Sequence, residues 1–291
     1  MKNQHDEGRR DGQFVLSTPT AVENELPFQL IGAGCDFYQY PIDRPFGFPV
    51  YQWIQTIGGR GVLRLADGEE EAGENQGLLL YPDEQHAYHA VEEPWYVHWI
   101  TFSGHHIQSM LHYLNMNASG VYQVSDATLL TARIRKALST LQSDYPLRGI
   151  DGSAIIYQLL LDFLKYVRHD GSESRDSHVR RIKPALDLIE AEMHRSLSLD
   201  DLSASVGVTP QYFCELFRSL TSHRPTDYIN LRRIDRAKEL LLRHPEYRVH
   251  EVARQVGFES DSYFSTVFRR YEGVSPRSFR QHNAGNSIAS D

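Results

Sequence analysis

The sequence predicts two domains: an all-β barrel or sandwich with added helices, followed by an all-α domain of two helix-turn-helix units joined by a long helix. Three observations predict this fold. Strand-like segments fill the chain before Gly104, the apolar spacing then changes to a helical period, and one pattern occurs twice between Ser198 and Arg280. A chain of 291 residues has room for about two domains.

The strand-like segments are short and rich in aromatic and branched residues. They cover residues 37–40, 50–57, 61–65, 77–81 and 96–102, and Gly, Pro and Asp separate them. Such spacing is typical of a small barrel or sandwich. A small ligand is commonly bound in the mouth of a barrel.

Two helical stripes follow the predicted strands. The first comprises Leu129, Leu130, Ile134, Leu138 and Leu141, and the second Ile155, Ile156, Leu159, Leu160, Phe163, Leu164 and Val167. Because the second stripe is broad, it predicts apolar surface left over for a homodimer. The alternative is that both stripes are only intrachain core.

The repeated pattern has a constant offset of 50 residues in its first part and 51 in its second. The first part pairs Leu199, Leu202, Val206 and Gly207 with Val249, Val252, Val256 and Gly257. The second part pairs Tyr212, Phe213, Phe217, Pro225 and Tyr228 with Tyr263, Phe264, Phe268, Pro276 and Phe279. Each copy therefore predicts a short helix, a turn at the glycine and a second helix, which in a helix-turn-helix lies in the major groove.

Capping residues and prolines set the predicted helix limits in this region. Ser198 is suited to cap the first small helix, and Thr209 with Pro210 opens the first recognition helix. A long helix from about Asp227 to Arg243 joins the two units.

Polar segments mark the predicted domain limits. Residues 1–20 are expected to form a mobile arm, 169–178 a linker and 283–291 a disordered tail. The β-rich domain then covers residues 21–168 and the helical domain residues 179–282.

Composition excludes several classes of protein. No apolar run approaches the length of a membrane span, and the charged start of the chain is not a signal peptide. The two cysteines fit neither a disulfide framework nor a metal spacing, so we expect a cytoplasmic protein.

Charge is distributed unequally along the chain. Residues 1–177 hold 13 Lys and Arg against 23 Asp and Glu, whereas residues 178–291 hold 17 Lys and Arg against 15 Asp and Glu. This asymmetry favours a DNA-facing C-terminal half carried by an acidic sensor.

The helical domain closely resembles the AraC/XylS family of bacterial transcription regulators. The matching segments are Ala253–Phe258, Ser262–Ser265, Phe268–Arg270, Gly273–Pro276 and Phe279–Arg280. The resemblance implies a regulator that binds double-stranded DNA as a homodimer and acts with RNA polymerase. One residue departs from the pattern, because Ser222 stands where a glycine is expected before Pro225. We therefore expect a slightly strained turn there.

The N-terminal half resembles the cupin-like effector domain of the arabinose-responsive member of that family. The matching segments are Asp43–Gly47, Gly59–Gly61, Tyr81–Pro82, His86–Tyr88 and Trp95–Trp99. By that resemblance Arg44, Tyr88 and Trp99 occupy sugar-contacting positions, which implies a sugar-like effector. Val97 replaces a histidine of that site, so the identity of the sugar stays open.

The chemistry of these three residues is compatible with a sugar. An arginine offers a fork of donors to hydroxyls or a carboxylate, and aromatic rings offer flat faces to a sugar ring. Without the resemblance, Trp99 would be read as barrel core. Arg44 is harder to explain as core, because a buried guanidinium needs a partner.

Helical spacing separates buried from outward residues on the two recognition helices. The predicted core positions are Phe213, Leu216 and Phe217 on the first helix, and Tyr263, Phe264, Val267 and Phe268 on the second. The predicted base-contacting residues are Gln211, Cys214, Glu215 and Arg218 on the first, and Ser260, Asp261, Ser265 and Thr266 on the second.

The two predicted sets of readers differ in chemistry. Gln pairs with adenine and Glu accepts from cytosine, whereas the second set is small or acidic. We therefore expect the first unit to supply most sequence discrimination.

The second unit is expected to bind phosphates through Arg269, Arg270, Arg277 and Arg280. For all of these residues the alternative is a solvated helix face.

Two other classes of function stay open. His86, His89, His98, His105 and His106 raise the question of a cupin-type metal enzyme, but they lack a tight pair followed by a spaced glutamate. No nucleophile with a nearby base stands out, so we expect no catalysis, metal or cofactor. The second alternative is a regulator whose β domain binds a protein rather than a small molecule.

Overall fold

The computed structural model of the chain describes residues 12–168 and 175–284. These residues form two compact domains, divided between Asp176 and Ser177. The first is rich in β-strands and the second is helical, as the sequence predicts.

An antiparallel sheet forms the framework of the N-terminal domain. Its strands are β1 Gln13–Leu16, β2 Gln29–Tyr38, β3 Ile42–Arg44, β4 Tyr51–Leu65, β5 Gly68–Ala72, β6 Gln76–Leu80, β7 His86–Ser103, β8 Gly120–Val124 and β9 Val167–Arg168. They are arranged in the order β1-β2-β7-β4-β6-β8-β9, while β3 pairs with β7 and β5 with β4. The long strands β4 and β7 pair along most of their lengths and so form the spine of the domain.

Strand β4 is continuous where the sequence predicts two separate strands. Its register against β7 shifts between Thr56 and Gly61, which lets the strand bend without ending. Glycine is required at Gly61, because a Cβ there would lie 2.3 Å from the ring of Trp95. The segment therefore continues as strand through residues that resemble a turn.

The sheet carries a different apolar cluster on each face. Along β7, Trp95, Val97 and Trp99 belong to one cluster and Ile100 and Phe102 to the other, as strand alternation requires. We call the first the strand cluster, because all of its buried members are strand residues: Ile54, Leu63, Ala72, Leu78, Leu80, Tyr88, Trp95, Val97, Trp99 and Val121. The sheet curves around this cluster.

Helices cover the opposite face of the sheet. They are α2 Ile107–Tyr113, α3 Ala127–Leu141 and α4 Arg148–Tyr166, whereas the short helix α1 Ala21–Asn24 has no buried residue. The predicted α3 stripe is buried there except for Leu129, which is 43% exposed. The predicted α4 residues from Ile155 to Phe163 are buried as well and belong to the intrachain core, whereas Leu164 and Val167 of the same predicted stripe are half-buried.

A second apolar row lies on the outward side of α4. It comprises Ile150, Ala154, Tyr157, Leu161 and Leu164. Ile150 is 50% and Tyr157 44% exposed. Sequence periodicity did not separate this row from the buried stripe, because together they cover most of the helix.

The three predicted flexible segments lie mostly outside the described residues. Positions 1–11 of the arm, 169–174 of the linker and 285–291 of the tail fall there. The remaining positions correct the prediction. Residues 13–16 pair with β2, helix α5 already begins at Arg175, and helix α11 extends to Ala284.

The C-terminal domain consists of helices in its described part. They are α5 Arg175–Glu192, α6 Leu199–Ser205, α7 Pro210–Thr221, α8 Pro225–Arg243, α9 Val249–Gln255, α10 Asp261–Glu272 and α11 Pro276–Ala284. Ser198 and Thr209 cap α6 and α7 as predicted. The joining helix α8 begins two residues before Asp227, because a proline fits the first position of a helix.

Each helix-turn-helix has its own core. The first contains buried residues of α5, α6 and α7 together with Ile229 of α8. The second contains residues of α9 and α10 together with Ile234, Ala237 and Leu241 of α8. The single helix α8 therefore contributes successive turns to two separate cores.

Candidate functional site

The outward face of α7 carries the residues predicted to read bases. Phe213, Leu216 and Phe217 are buried, as predicted. Gln211, Glu215 and Arg218 are exposed and Cys214 is half-buried. The face is thus free to enter a groove, and it presents an amide, a carboxylate and a guanidinium.

The outward face of α10 is less available than predicted. Ser260 and Thr266 are exposed, but both hydroxyls are bonded within the helix. Ser260 Oγ accepts from the Tyr263 amide at 3.3 Å, and Thr266 Oγ1 donates to the Ser262 carbonyl at 2.9 Å. Asp261 is exposed and Ser265 is half-buried. Local hydrogen bonding of this kind is common for Ser and Thr and lowers their capacity to contact another molecule.

The prediction that Tyr263 is a core residue is wrong. Phe264, Val267 and Phe268 are buried, whereas Tyr263 is 54% exposed. Its hydroxyl accepts a hydrogen bond from Asn230 Nδ2 at 3.3 Å. The phenol is amphipathic, so it lies at the edge of the core with its polar end outward.

The four predicted phosphate-binding arginines separate into two kinds. Arg269, Arg270 and Arg277 are exposed. Arg280 is half-buried, and its Nη1 donates to the Pro245 carbonyl at 3.3 Å. Its Nε and Nη2 are buried without a hydrogen-bond partner in the described part of the chain. Arg280 is thus engaged with the loop before α9.

In the N-terminal domain, pairing of β3 with β7 brings Arg44 and Tyr88 together. Register places Arg44 opposite His86 and Ile42 opposite Tyr88. Arg44 Nη1 donates to Gln52 Oε1 at 3.1 Å and lies 3.5 Å from His86 Nε2. The guanidinium carbon lies 4.2 Å above the ring of Phe48. The prediction that Arg44 needs a partner is met by these contacts.

Trp99 lies further along β7, on the same face as Tyr88. It is paired with Gly34 of β2, where a Cβ would come within 2.4 Å of the indole. The ring of Phe14 in β1 lies 6.1 Å from it and that of Phe37 6.3 Å. Strand β1 therefore covers Trp99, and glycine at position 34 leaves room for the indole.

Three polar residues complete this face, and of these only His86 stands out in the sequence, as one of the histidines that raise the question of a metal. Gln52 contacts Arg44 and pairs with Thr101, which is 1% exposed. Thr101 Oγ1 is buried and has no hydrogen-bond partner among the described residues. The third is His86, which is stacked parallel to the ring of Tyr88. Thr101 is not alone in lacking a hydrogen-bond partner, because Trp53 Nε1 and Gln55 Oε1 are also buried without a partner among the described residues.

Burial determines the protonation of the cluster. It holds the pKa of His86 below its ordinary value, and the neighbouring Arg44 acts in the same direction. The ring Nδ1 lies 2.7 Å from the Glu84 carbonyl, so it carries the proton and leaves Nε2 as an acceptor toward Arg44. Burial also raises the pKa of Tyr88 to about 12, which keeps its phenol a neutral donor.

Two further observations concern metals and membranes. Among residues 12–168 and 175–284, no three His, Cys, Asp or Glu side chains come together as a metal site. None of the described helices has the length and apolar character needed to cross a bilayer.

Comparison with family models gives two matches. Residues 202–282 match a helix-turn-helix domain model, and residues 44–160 match the model of the AraC-like ligand binding domain. The second match contains the Arg44, Tyr88 and Trp99 cluster. The first contains both α7 and α10.

Comparison with curated proteins gives one relative that matches most of the chain and two that match less than half of it. The arabinose operon regulatory protein of Salmonella typhimurium is 28% identical over 252 residues, which cover 84% of this chain and 87% of that protein. An uncharacterised helix-turn-helix regulator from the cgkA 5' region of Pseudoalteromonas carrageenovora is 31% identical over 40% of this chain and 73% of its own. The regulatory protein PocR of Salmonella typhimurium is 34% identical over 110 residues, and the chain covers only 36% of its length.

Proposed function

Because the chain belongs to the AraC family of DNA-binding transcription regulators, we propose that it binds promoter DNA through both helix-turn-helix units and responds to a sugar-like effector. The effector binds at the Arg44, Tyr88 and Trp99 face of the curved sheet. A homodimer then changes how its DNA-binding domains are placed on the promoter and recruits RNA polymerase.

The observation that carries the DNA-binding part is the chemistry of α7. Its exposed Gln211, Glu215 and Arg218 form one face that offers donors and acceptors to base edges. The exposed Arg269, Arg270 and Arg277 supply phosphate contacts around the second unit. Such contacts release counterions, so the affinity should fall steeply with salt.

Selection of DNA sequences in vitro with the full-length protein tests this part. A random duplex library should yield one enriched motif, and the complex with that motif should weaken with rising salt. The upstream regions of genes adjacent to its own provide natural candidates for a gel shift. Failure to enrich any sequence, with and without sugars, would refute DNA recognition.

The observation that carries the effector part is the polar cluster that Arg44 forms with Gln52 and His86 on the same face as Trp99. These groups can bind several oxygen atoms of one ligand, and the indole of Trp99 can stack on the apolar side of a sugar ring. Val97 is fully buried in the strand cluster, so this position supports no polar contact. We therefore propose a sugar or sugar derivative other than arabinose.

Calorimetry with a panel of pentoses, hexoses and their phosphates and acids tests the effector part. Arg44→Ala and Thr101→Val should weaken binding of the sugar that the parent protein binds. Arg60→Ala is the matched control, because Arg60 lies on β4 but forms exposed ion pairs with Glu71 and Glu92. Unchanged affinity in both site variants would remove the proposed site.

The outward row of α4 supports the homodimer. Its members recur at alternating intervals of four and three residues, as in a helix-pairing seam. Two copies of the row can pair and remove Ile150 and Tyr157 from water. Sedimentation of Tyr157→Glu and of Leu129→Glu, a control on α3, measures this: we expect only the first to dissociate the dimer.

A further inference from the structure

The two helix-turn-helix cores are not joined by apolar packing. Ile229 of α8 belongs to the first core, and the next buried residue of that helix, Ile234, belongs to the second. Packing alone therefore fixes each recognition helix within its own unit. We call the boundary between the two cores, which crosses α8 between Ile229 and Ile234, the seam. The placement of α7 relative to α10 depends on α8 and on the side chains that cross this seam.

Arg233 lies at this seam and is bonded to the first unit. Its Nε donates to the Met193 carbonyl at 2.7 Å and its Nη2 to the Arg195 carbonyl at 2.8 Å. Met193 directly follows α5, where carbonyls lack partners within the helix. Both bonds are short and charge-assisted, which makes them stronger than neutral ones.

The same side chain contacts the second unit. Its guanidinium carbon lies 5.5 Å from the ring centroid of Phe258, a buried member of the second core. The turn beside it also reaches the Met193 carbonyl, since a Cβ on Gly257 would lie 2.4 Å from that oxygen. Burial lowers the pKa of Arg233, as expected for a guanidinium enclosed between two units.

Other polar links of α8 reach one unit each, including those of Asp227 and Asn230, beside Ile229, to Tyr271 and Tyr263 of the second unit. Arg232 pairs with Glu190 of the first unit at 2.6 Å, and Lys238 pairs with Glu272 of the second at 2.8 Å. Both pairs are partly exposed and so contribute little. A cleft of 380 Å³ beside Arg233 is lined by residues of both units, which leaves this part of the seam unfilled.

We propose that Arg233 is a positioning residue for DNA recognition: it fixes the separation and angle of α7 and α10, and thereby the number of base pairs between the two segments that one chain reads. This inference rests on the proposed function, because it requires that both helices enter DNA. Each added base pair rotates the second segment by about 34° around the duplex, so a rigid joint tolerates little change in spacing.

The first test measures the joint without DNA. Spin labels are attached at Glu215→Cys on α7 and Thr266→Cys on α10, in full-length protein whose Cys35 and Cys214 are replaced by alanine and serine. The labelled protein is mixed with an excess of unlabelled chains, so that each homodimer carries at most one labelled chain. The parent should show one narrow distance distribution. Arg233→Met should broaden it, Arg233→Lys should broaden it less, and Arg236→Met should leave it narrow.

Arg236 is the matched control because it lies on the same helix and is exposed. Its Nη1 bonds Glu239 within α8 at 2.5 Å, so it spans no seam. Circular dichroism of each variant reports whether it is folded. If Arg233→Met does not fold, the lysine variant provides the comparison, since it retains the charge but not the fork.

The second test measures spacing on DNA with the unlabelled protein. The motif enriched by the parent is rebuilt with one or two base pairs inserted or deleted between its two segments. The parent should lose about tenfold or more in affinity per change, a cost similar to that of a mismatched base pair. In Arg233→Met the optimal site should bind more weakly, and the penalty for altered spacing should shrink to about twofold to threefold.

Loss of affinity with an unchanged spacing penalty would overturn the proposal, because it would show a merely stabilising role. An unchanged distance distribution in folded Arg233→Met would overturn it as well. A parent protein that selects no DNA sequence would instead refute the proposed function. The spin-label result would then still show whether Arg233 holds the two units together.

Discussion

The first helix-turn-helix closes its recognition helix on Ser222, and the second closes on Gly273 at the equivalent position. Both residues are left-handed, with φ of 61° and 75°. The turns before the recognition helices have glycine in both units, at Gly207 and Gly257, but they differ in the space around that glycine. A Cβ added to Gly207 would point into open space, whereas one added to Gly257 would clash with the backbone of Met193 and His194 after α5. The two units thus have separate cores built from the same apolar pattern, but they differ in their turns. The first has a strained turn at Ser222, and the second has a crowded turn at Gly257.

This comparison separates the residues that determine the fold of each unit from the residues that can determine which DNA it binds. The shared positions are apolar and buried in both units. The differing positions face outward, close a turn or lie at the seam. A unit can therefore change its readers without disturbing its core, and each difference can be tested by exchanging equivalent residues.

The largest expected effect is that of Gly257→Ala compared with Gly207→Ala. Alanine at Gly257 adds a backbone clash to the left-handed strain, so it should lower the free energy of unfolding by about 3 kcal/mol. At Gly207 the strain acts alone and should cost about 1–2 kcal/mol. Denaturant titration followed by circular dichroism at a helix band measures both.

Tryptophan fluorescence gives the internal control, because Trp53, Trp95 and Trp99 all lie in the N-terminal domain. That signal should not change in either variant. Equal decreases in the free energy of unfolding of the two variants would show that the backbone at Met193 moves to accommodate the added methyl group without destabilising the domain.

Exchanging the readers should give the next largest effect. Glu215→Gln should relax the preference at one base pair by about 1–3 kcal/mol, because it replaces one acceptor oxygen of the carboxylate by an NH2 donor and removes the negative charge that favours the cytosine amino group. Thr266→Val should change preferences by less than about 1 kcal/mol, because its hydroxyl already bonds the Ser262 carbonyl. Repeating the sequence selection with each variant measures this, and a larger change for Thr266 would reverse the assigned roles.

The arginines should differ in their salt response. Removing Arg269, Arg270 or Arg277 should each lower the slope of log affinity against log salt by about 1. Arg280→Met should leave the slope unchanged and instead destabilise the loop before α9, because its Nη1 bonds Pro245. Gel shifts over a salt series decide the matter, and a reduced slope for Arg280 would return it to the phosphate-binding set.

The smallest expected effect is that of exchanging the two closing residues. Ser222→Gly should stabilise the C-terminal domain by about 0.5–1 kcal/mol, because glycine adopts a left-handed conformation without strain. Gly273→Ser should destabilise it by a similar amount. Thermal unfolding of the two variants should therefore shift in opposite directions, and shifts of the same sign would contradict this interpretation.

Much of the helical domain could be predicted because its signals are local. Ser198, Thr209 and Pro210 mark helix starts through their own side chains, and the repeat identifies the core. Tyr263 was misassigned because a repeat of ring type does not distinguish a buried phenylalanine from a tyrosine at the edge. Arg233 gave no signal, since its partners are main-chain carbonyls with no sequence signature.

Less of the candidate effector site could be predicted. Resemblance identified Arg44, Tyr88 and Trp99, but Gln52, His86 and Thr101 join them only through strand register. The outward row of α4 was concealed by the buried stripe beside it. The sequence does not predict strand β1, because four residues show little periodicity and their stabilising contacts lie in β2 and β7.

The division of α8 between two cores also defines where the helical domain can be cut and rejoined. A chimera that takes its second unit from another regulator should keep Ile229 with the recipient and begin the donor sequence before Arg233. Where the donor has an arginine at the position of Arg233, that arginine would find its acceptors in any recipient of the same backbone, because carbonyls are common to all residues. The predicted base-contacting residues of one helix-turn-helix unit could in this way be exchanged together with their whole unit, without redesigning the contacts between the two units.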